Sequence, residues 1–394
     1  MSNAKILPKF ISNRMEEHYR TMIKPHGKNP FHGLAPGPGA ILVNGNDYLS
    51  LTNDPEIKQA QIRAVRGANG GPQQSAVYID SPQIESEKRV FEKEFAAFLN
   101  FEGCTVCQSG YTANVGLIQS IAGPGVPVYV DFFAHSSLYE GVKSGRASLK
   151  PFRHNDMNSL RRVIASNGPG VIAVDSLYST FGDFAPLVEL VEIAEETGCA
   201  LVVDESHSLG VFGENGRGLV HALQLQDRVD FITASLAKGF VTRAGVVAAR
   251  SDFLRYFAFA SFPAIFSSVV EPWEAIRVRA VLDVIQKSNE RRERVRQFSE
   301  IVRDGLREKG VNIGPTQSQI IPLIFRSEAD TFRVHSQLER AGIFGSLFCR
   351  PATPKNKSMV RLSINSGLTM GDIARLMEIV GSLAGRNMAR PAAV

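Results

Sequence analysis

Through the middle of the chain, short runs of β-branched and apolar residues alternate with stretches whose apolar positions recur at helical spacing. PVYVDF (127–132), GVIAVDS (170–176), ALVVDE (200–205), DFITAS (230–235) and AGVVAA (244–249) predict strands. Each is apolar nearly throughout instead of alternating, the pattern of a strand covered on both faces. Between them, MNSLRRVIAS and PLVELVEIAEETG predict amphipathic helices, the second closed by a glycine suited to a helix C-terminus. Strands alternating with helices predict an α/β fold built on a mostly parallel sheet.

The pattern changes near residue 270. From 271 to about 309 the chain reads as one long helix rich in Arg and Glu. IIPLIF (320–325), a helical stretch at 330–341, MVRLSI (359–364) and a helix at 370–385 follow. Three parts are predicted: an N-terminal arm over 1–45, a large domain over 46–270 and a smaller α+β domain over 271–394. The first 40 residues, ending near HGLAPGPGA, read as a helical arm and loop, and RNMARPAAV as a frayed tail. No internal repeat is evident.

Composition narrows the class. A chain of 394 residues with 44% hydrophobic and 21% charged residues fits a two-lobed globular protein. No apolar run approaches the ~20 residues that span a bilayer. The opening MSNAKILPKFISNRMEEHYR has no continuous apolar core of the kind signal peptides carry, so a cytoplasmic location is expected. Four cysteines do not make a disulfide scaffold. Cys104 and Cys107 form a C-x-x-C, but Cys199 and Cys349 are isolated and supply no second pair. Buried cysteines in a strand are therefore expected, and no metal. The net charge of +5 is mild and scattered, without the basic stripe or module of a nucleic-acid binder.

Four segments carry chemistry. In DESHSLGVFGENGRG (204–218), Asp204 ends an apolar strand, where open α/β sheets place their ligands. A lone D-x-x-H is more simply a turn cap. A largely buried Asp, however, costs on the order of several kcal/mol unless a cation meets it. The protonated pyridine nitrogen of pyridoxal 5′-phosphate (PLP) is such a cation, and the pairing keeps the ring an electron sink. In TASLAKGFVTRAG (233–245), Lys238 follows a strand amid small residues, placed for imine chemistry instead of a solvated face. Ser235 precedes it by three and suits a phosphate.

In CQSGYTANVG (107–116), Ser109, Gly110 and Tyr111 open a helix and offer backbone N–H groups to that phosphate. In DFFAHSS (131–137), His135 can stack on the cofactor and relay protons, against the plainer reading of a satisfied core histidine. Each segment alone is weak, except the first. Their order and their strand-end placement make them strong together.

With these segments in this order, the chain resembles the α-oxoamine synthases, PLP enzymes of fold type I. They include 8-amino-7-oxononanoate synthase, 2-amino-3-ketobutyrate CoA ligase, 5-aminolevulinate synthase and serine palmitoyltransferase. The resemblance runs from NGNDYLSL (44–51) to RLSINSGLT (361–369). Within the family, QSGYTANVGL, VYVDFFAHSSLYEG, VDSLYSTFGDFAPL, TASLAKGF, FPAIFSS and FCRPATPKNK are most similar to the quorum-sensing autoinducer synthases of the CqsA type.

The resemblance implies a role for each matched residue. Lys238 would hold PLP as a Schiff base and then act as the base at Cα. Asp204 would pair with the ring nitrogen, and His207 and Ser179 would lie near the phenolic oxygen. His135 would cover the ring, and Ser109, Gly110, Tyr111 and Ser235 would hold the phosphate. Ser267 and Ser268 would reach the phosphate of a neighbouring subunit, which implies a homodimer. Arg361 would clamp the amino-acid carboxylate, a task for a planar bidentate donor, with Asn46 beside it. The implied reaction is decarboxylative condensation of 2-aminobutyrate or S-adenosylmethionine with a medium-chain acyl-CoA such as decanoyl-CoA. Its product is an α-aminoketone. Another α-oxoamine synthase activity, such as serine palmitoyltransferase or 8-amino-7-oxononanoate synthase, is the alternative. A non-catalytic partner subunit would lack the Schiff-base lysine, and Lys238 is present.

Two positions depart from the family pattern. In GGPQQSAVYIDSP (70–82), Ala76 stands where an Arg is usual, and in SGLT Leu368 stands where a His is usual. Both changes argue against a small dicarboxylate acyl donor and for a plain fatty chain.

Overall fold

The computed structural model describes residues 6–24, 29, 31–67, 75–78, 86–350, 352–354 and 356–387. Parts of the segments named above lie outside these residues: 1–5, 25–28 and 30 of the N-terminal arm, 70–74 and 79–82 of GGPQQSAVYIDSP, Pro351 and Lys355 of FCRPATPKNK, and 388–394 of the tail.

The strands, in chain order, are β1 (Ile41–Val43), β2 (Gly103–Cys107), β3 (Pro127–Asp131), β4 (Ser148–Phe152), β5 (Val171–Asp175) and β6 (Ala200–Asp204). They continue with β7 (Phe231–Ser235), β8 (Gly245–Ala249), β9 (Ile320–Phe325), β10 (Ile343–Phe348) and β11 (Ser358–Ser363). Seven form one sheet in the order β2-β8-β7-β6-β5-β3-β4, and the other four form a second, β1-β10-β11-β9. In the large sheet β3 to β7 pair in parallel, while β8 runs antiparallel to both β7 and β2. The strands therefore direct the C-terminal ends of β2, β3, β5, β6 and β7 to one edge, and every chemical segment named above leaves from that edge.

Continuous apolar strands bury both faces. Ile172, Val174, Leu201 and Val203 point into one core layer. Their neighbours Val171, Ala173 and Val202 point into the other, beneath helices Gly110–Ile121 and Ser136–Ser144. The small sheet packs Ile321, Leu323, Val360 and Leu362 against a separate core that includes Val302, Leu306, Leu338 and Leu376.

Two sequence expectations change. The arm read over 1–45 contains β1, which pairs in parallel with β10 and so belongs to the small sheet. The single helix read from 271 to 309 is two, Pro272–Gln286 and Asn289–Glu308, separated at Lys287 and Ser288. The first sends Val278, Val281 and Leu282 into the large core. The second places Val295 there and Phe298, Val302 and Leu306 in the small core, so it spans both. Among the described residues no helix is long and apolar enough to cross a membrane. All four cysteines are free, with Cys104 buried in β2.

Candidate active site

Ser109, Gly110, Tyr111, His135, Asp204, His207, Ser235 and Lys238, scattered over 130 residues of sequence, line one hollow at the C-terminal edge of the large sheet. Asn114, Asp175, Leu177 and Ser206 complete its wall, around a cavity of about 180 Å³.

The floor is acidic. Asp175 and Asp204 end adjacent parallel strands in direct register. Burial, and next the charge of Asp204, pushes the Asp175 carboxyl well above the usual carboxylate range. One oxygen of Asp175 accepts the backbone N–H of His135 at 3.2 Å. Asp204 is buried, and its oxygens accept from the Ser206 backbone N–H at 2.8 Å and the Asn114 side-chain amide at 2.6 Å. Both donors are neutral, so a buried carboxylate lacks a bonded cation among the described residues.

The loop after β6 turns sharply because Glu205 gathers it. Its carboxylate accepts the N–H groups of Leu219 at 2.9 Å and Val220 at 2.8 Å and the Ser208 hydroxyl at 2.5 Å. Burial nevertheless lifts its pKa to about 7. Gly218 must be glycine here: its φ is +94°, and an added Cβ would lie 1.9 Å from a Glu205 oxygen.

His207, carried by this loop, is buried and meets the Tyr48 hydroxyl through Nδ1 at 2.7 Å. Burial, reinforced by Lys238 and Arg361, holds it well below the ordinary histidine range. Lys238 follows β7; burial first, and Arg361 next, lower its pKa against the opposing pull of Asp204.

The opposite rim is a helix start. Ser109 caps Gly110–Ile121, accepting from the Thr112 N–H at 3.1 Å in a capping box. The amides of Gly110 and Tyr111 have no partner within the helix, as first-turn N–H groups never do. They face the hollow with the positive end of the helix dipole. Gly110 approaches Ser235 so closely that a Cβ would lie 2.5 Å from the Ser235 Cβ. The wall thus has both a backbone anion cradle and a carboxylate short of a cation. A lysine of lowered pKa lines the same hollow. This donor set fits PLP, whose phosphate, ring nitrogen and aldehyde demand those three features.

Arg361 and Asn46 lie outside the hollow but join it through a hydrogen-bond chain. Arg361 donates to the Ser179 carbonyl at 2.8 Å and to Asn46 Oδ1 at 3.0 Å, and Tyr48 bridges Asn46 to His207. The guanidinium is buried, its Nε has no hydrogen-bond partner among the described residues, and burial lowers its pKa. Ser179 contributes its carbonyl to this set. Ser267 and Ser268 are not in the wall of their own chain's hollow; they pack on the Gln108 side chain, Ser267 Oγ donating to Gln108 Oε1 at 3.0 Å. Ala76 is next to them, its N–H on the Ser267 carbonyl at 3.2 Å. Leu368 is buried in the small core, and its carbonyl accepts from Arg294 at 2.6 Å.

Sequence reading missed Asn114, Ser137, Tyr48 and Asp175. All four stood inside segments named above, but an Asn or Ser within a helix and a Tyr within a turn carry no sign that they are buried.

Comparison with known proteins agrees with this geometry. The family model for aminotransferase class I and II matches residues 39–380. A CAI-1 autoinducer synthase of Vibrio campbellii is 44% identical over 95% of this chain and 94% of its own. A serine palmitoyltransferase of Caulobacter vibrioides is 30% identical over 90% of this chain and 88% of its own. Among solved structures, a serine palmitoyltransferase of Sphingomonas wittichii superposes with a TM-score of 0.84 at 25% identity, covering 96% of this chain and 98% of its own. One from S. paucimobilis, bound to a PLP–myriocin aldimine, gives 0.86 at 24% identity, over 96% and 98%. The chain belongs to the aminotransferase class I and II family, in its α-oxoamine synthase branch, and is a PLP-dependent acyltransferase of fold type I.

Proposed function

We propose that this enzyme condenses an amino acid with a medium-chain fatty acyl-CoA, releasing CoA and CO₂, to give an α-aminoketone precursor of an α-hydroxyketone quorum-sensing signal. The amino substrate in this reading is 2-aminobutyrate or S-adenosylmethionine. The observation that carries it is the 44% identity, over nearly the whole chain, to a protein named as a CAI-1 autoinducer synthase.

PLP, when bound, supplies an electron sink for the pair left at Cα once its proton is gone. The chain's own residues do the rest. Asp204 keeps the ring nitrogen protonated by offering a buried negative charge to it. Lys238, shifted toward its neutral form, would hold the cofactor and serve as the base that takes the Cα proton. Ser109, Gly110, Tyr111 and Ser235 hold the phosphate. His207, hydrogen-bonded to Tyr48, would sit by the phenolic oxygen, and Ser179 would flank the same region. Arg361, its Nε without a partner among the described residues, is oriented by Asn46 and the Ser179 carbonyl to take the substrate carboxylate. His135 would cover the ring and donate to the carboxylate or acyl oxygen.

Ala76 and Leu368 remove an Arg and a His that would favour an acidic acyl donor, which supports a fatty chain. Ser267 and Ser268 are assigned to the phosphate site of a second copy, so the working unit is a cytoplasmic homodimer. The test is mass spectrometry of products formed by the purified holoenzyme from graded acyl-CoAs and a panel of amino acids. A decanoyl-derived α-aminoketone is expected. A long-chain product from serine would place it with serine palmitoyltransferase instead, and turnover of keto acids without CoA would make it an aminotransferase.

A further inference from the structure

Asn114, in the wall of the cofactor hollow, and Ser137, hydrogen-bonded to it, have no role in the reaction as described so far. Both are fully enclosed, Asn114 1% and Ser137 0% exposed. We propose that they form a one-way donor chain that fixes the single ring proton of His135 on Nε2 and ties that ring to Asp204.

The direction of each bond follows from its neighbours. Thr233 Oγ1 donates to Asn114 Oδ1 at 2.5 Å, and Asn114 Nδ2 lies 2.6 Å from Asp204 Oδ2. The reversed amide would set its carbonyl oxygen against a carboxylate, so Asp204 fixes the orientation and the Thr233 hydroxyl donates to the oxygen. The second hydrogen of the same nitrogen goes to Ser137 Oγ at 2.9 Å. Ser137 Oγ thus accepts from Asn114, and its own hydrogen goes to its remaining neighbour, His135 Nδ1, at 2.6 Å. The Ser137 backbone N–H points at the same nitrogen from 3.3 Å. An Nδ1 that receives two donors must offer a bare lone pair, so a neutral His135 carries its proton on Nε2.

The groups facing His135 permit this state. Burial lowers its pKa and Lys238 lowers it further, against Asp204, while His207 lies near enough to be affected by it. Asp175 holds its backbone N–H, and Tyr111 meets its ring edge-on at 6.5 Å. His135 is therefore a donor toward substrate from the outset, and it can exchange protons only through Nε2. Asn114 and Ser137 are positioning residues acting through His135 and Asp204. The inference rests on placing His135 over the cofactor, but it is read from the histidine and not from turnover.

The experiment is long-range ¹H–¹⁵N NMR of the full-length holoenzyme labelled at histidine nitrogen, with the His135 signals assigned by their loss in His135→Gln. In the wild type, His135 should show a pyridine-type Nδ1 and a protonated, pyrrole-type Nε2. Ser137→Ala should give mixed tautomers and raise the His135 pKa by about 0.5 to 1 unit, because a donor to the neutral ring is lost. Ser137→Thr, which keeps the hydroxyl, should restore the wild-type pattern. Asn114→Ala should shift His135 in the same direction as Ser137→Ala, since Ser137 is then free to donate elsewhere. A wild-type proton on Nδ1, or a Ser137→Ala spectrum unchanged from wild type, overturns the proposal. The wild-type spectrum decides even if a variant fails to fold. A failure of the proposed acyl-transfer reaction would leave these signals in place, so the two readings fail separately.

Discussion

Removing the imidazole of His154 should cost the enzyme a pH-dependent share of its stability. His154 lies beside the hollow and donates from Nδ1 to Asp131 at 2.8 Å and from Nε2 to Asp183 at 2.7 Å. Asp131 ends β3, just before the loop that carries His135, and Asp183 closes the turn that carries Ser179. One ring therefore staples together the two loops that flank the site. Donating from both nitrogens requires the imidazolium. Burial opposes that charge, but the two carboxylates outweigh burial and raise the pKa from 6.5 to about 9.

With the side chain only 17% exposed, a shift of this size corresponds to about 3 kcal/mol at most. Because the folded-state pKa is raised, the contribution is complete below pH 6.5 and is lost as pH climbs through 9. Urea unfolding of holoenzyme and of His154→Gln at intervals from pH 6 to 10 measures it. The wild type should lose up to about 3 kcal/mol more than the variant across that window. Parallel pH profiles for the two proteins would refute the argument.

Other substitutions test neighbouring steps. Asp204→Asn should still bind PLP but lose exchange of the substrate Cα hydrogen with deuterium oxide, because an amide cannot hold the ring proton; normal exchange would contradict the role. Gly218→Ala should cost about 3 kcal/mol or more in thermal or urea unfolding, since the new methyl meets Glu205 in a backbone region reserved for glycine. An unchanged midpoint would show that the loop relaxes. Arg361→Lys should raise the amino-acid KM roughly ten- to hundredfold with little change in cofactor affinity, the worth of charge-assisted bonds that need a planar fork. A loss of PLP binding in its place would move Arg361 to a structural role.

The strands of the large sheet were legible because burial on both faces leaves an unbroken apolar run, as in VIAVD of β5 and ALVVD of β6. The strands that escaped notice lack that signature. β4 is an edge strand reading SLKPF, with alternate residues exposed. β10 reads IFGSLF, interrupted by Gly345, whose added Cβ would lie 2.7 Å from Val360. β1 is three residues long and gains its place only by pairing with a strand 300 residues away. The break at Lys287 and Ser288 was hidden because neither Gly nor Pro marks it.

The site was legible for the same reason as the sheet: Asp204 and Lys238 follow apolar runs whose ends must share one edge. What escaped was the layer behind them. Asn114 and Ser137 are small polar residues on helices, ordinary on any surface. Only the fold reveals that they are enclosed and that their hydrogen bonds run from Asp204 to His135. Arg361 comes from the small sheet, and no pattern along the chain brings it to Ser179.

The central claim is that Lys238 carries the cofactor. Borohydride reduction of the holoenzyme followed by peptide mass mapping tests it directly. The account predicts a single phosphopyridoxyl mass increment on the peptide containing Lys238, with none in Lys238→Ala. An increment on another lysine, or on none, would contradict it.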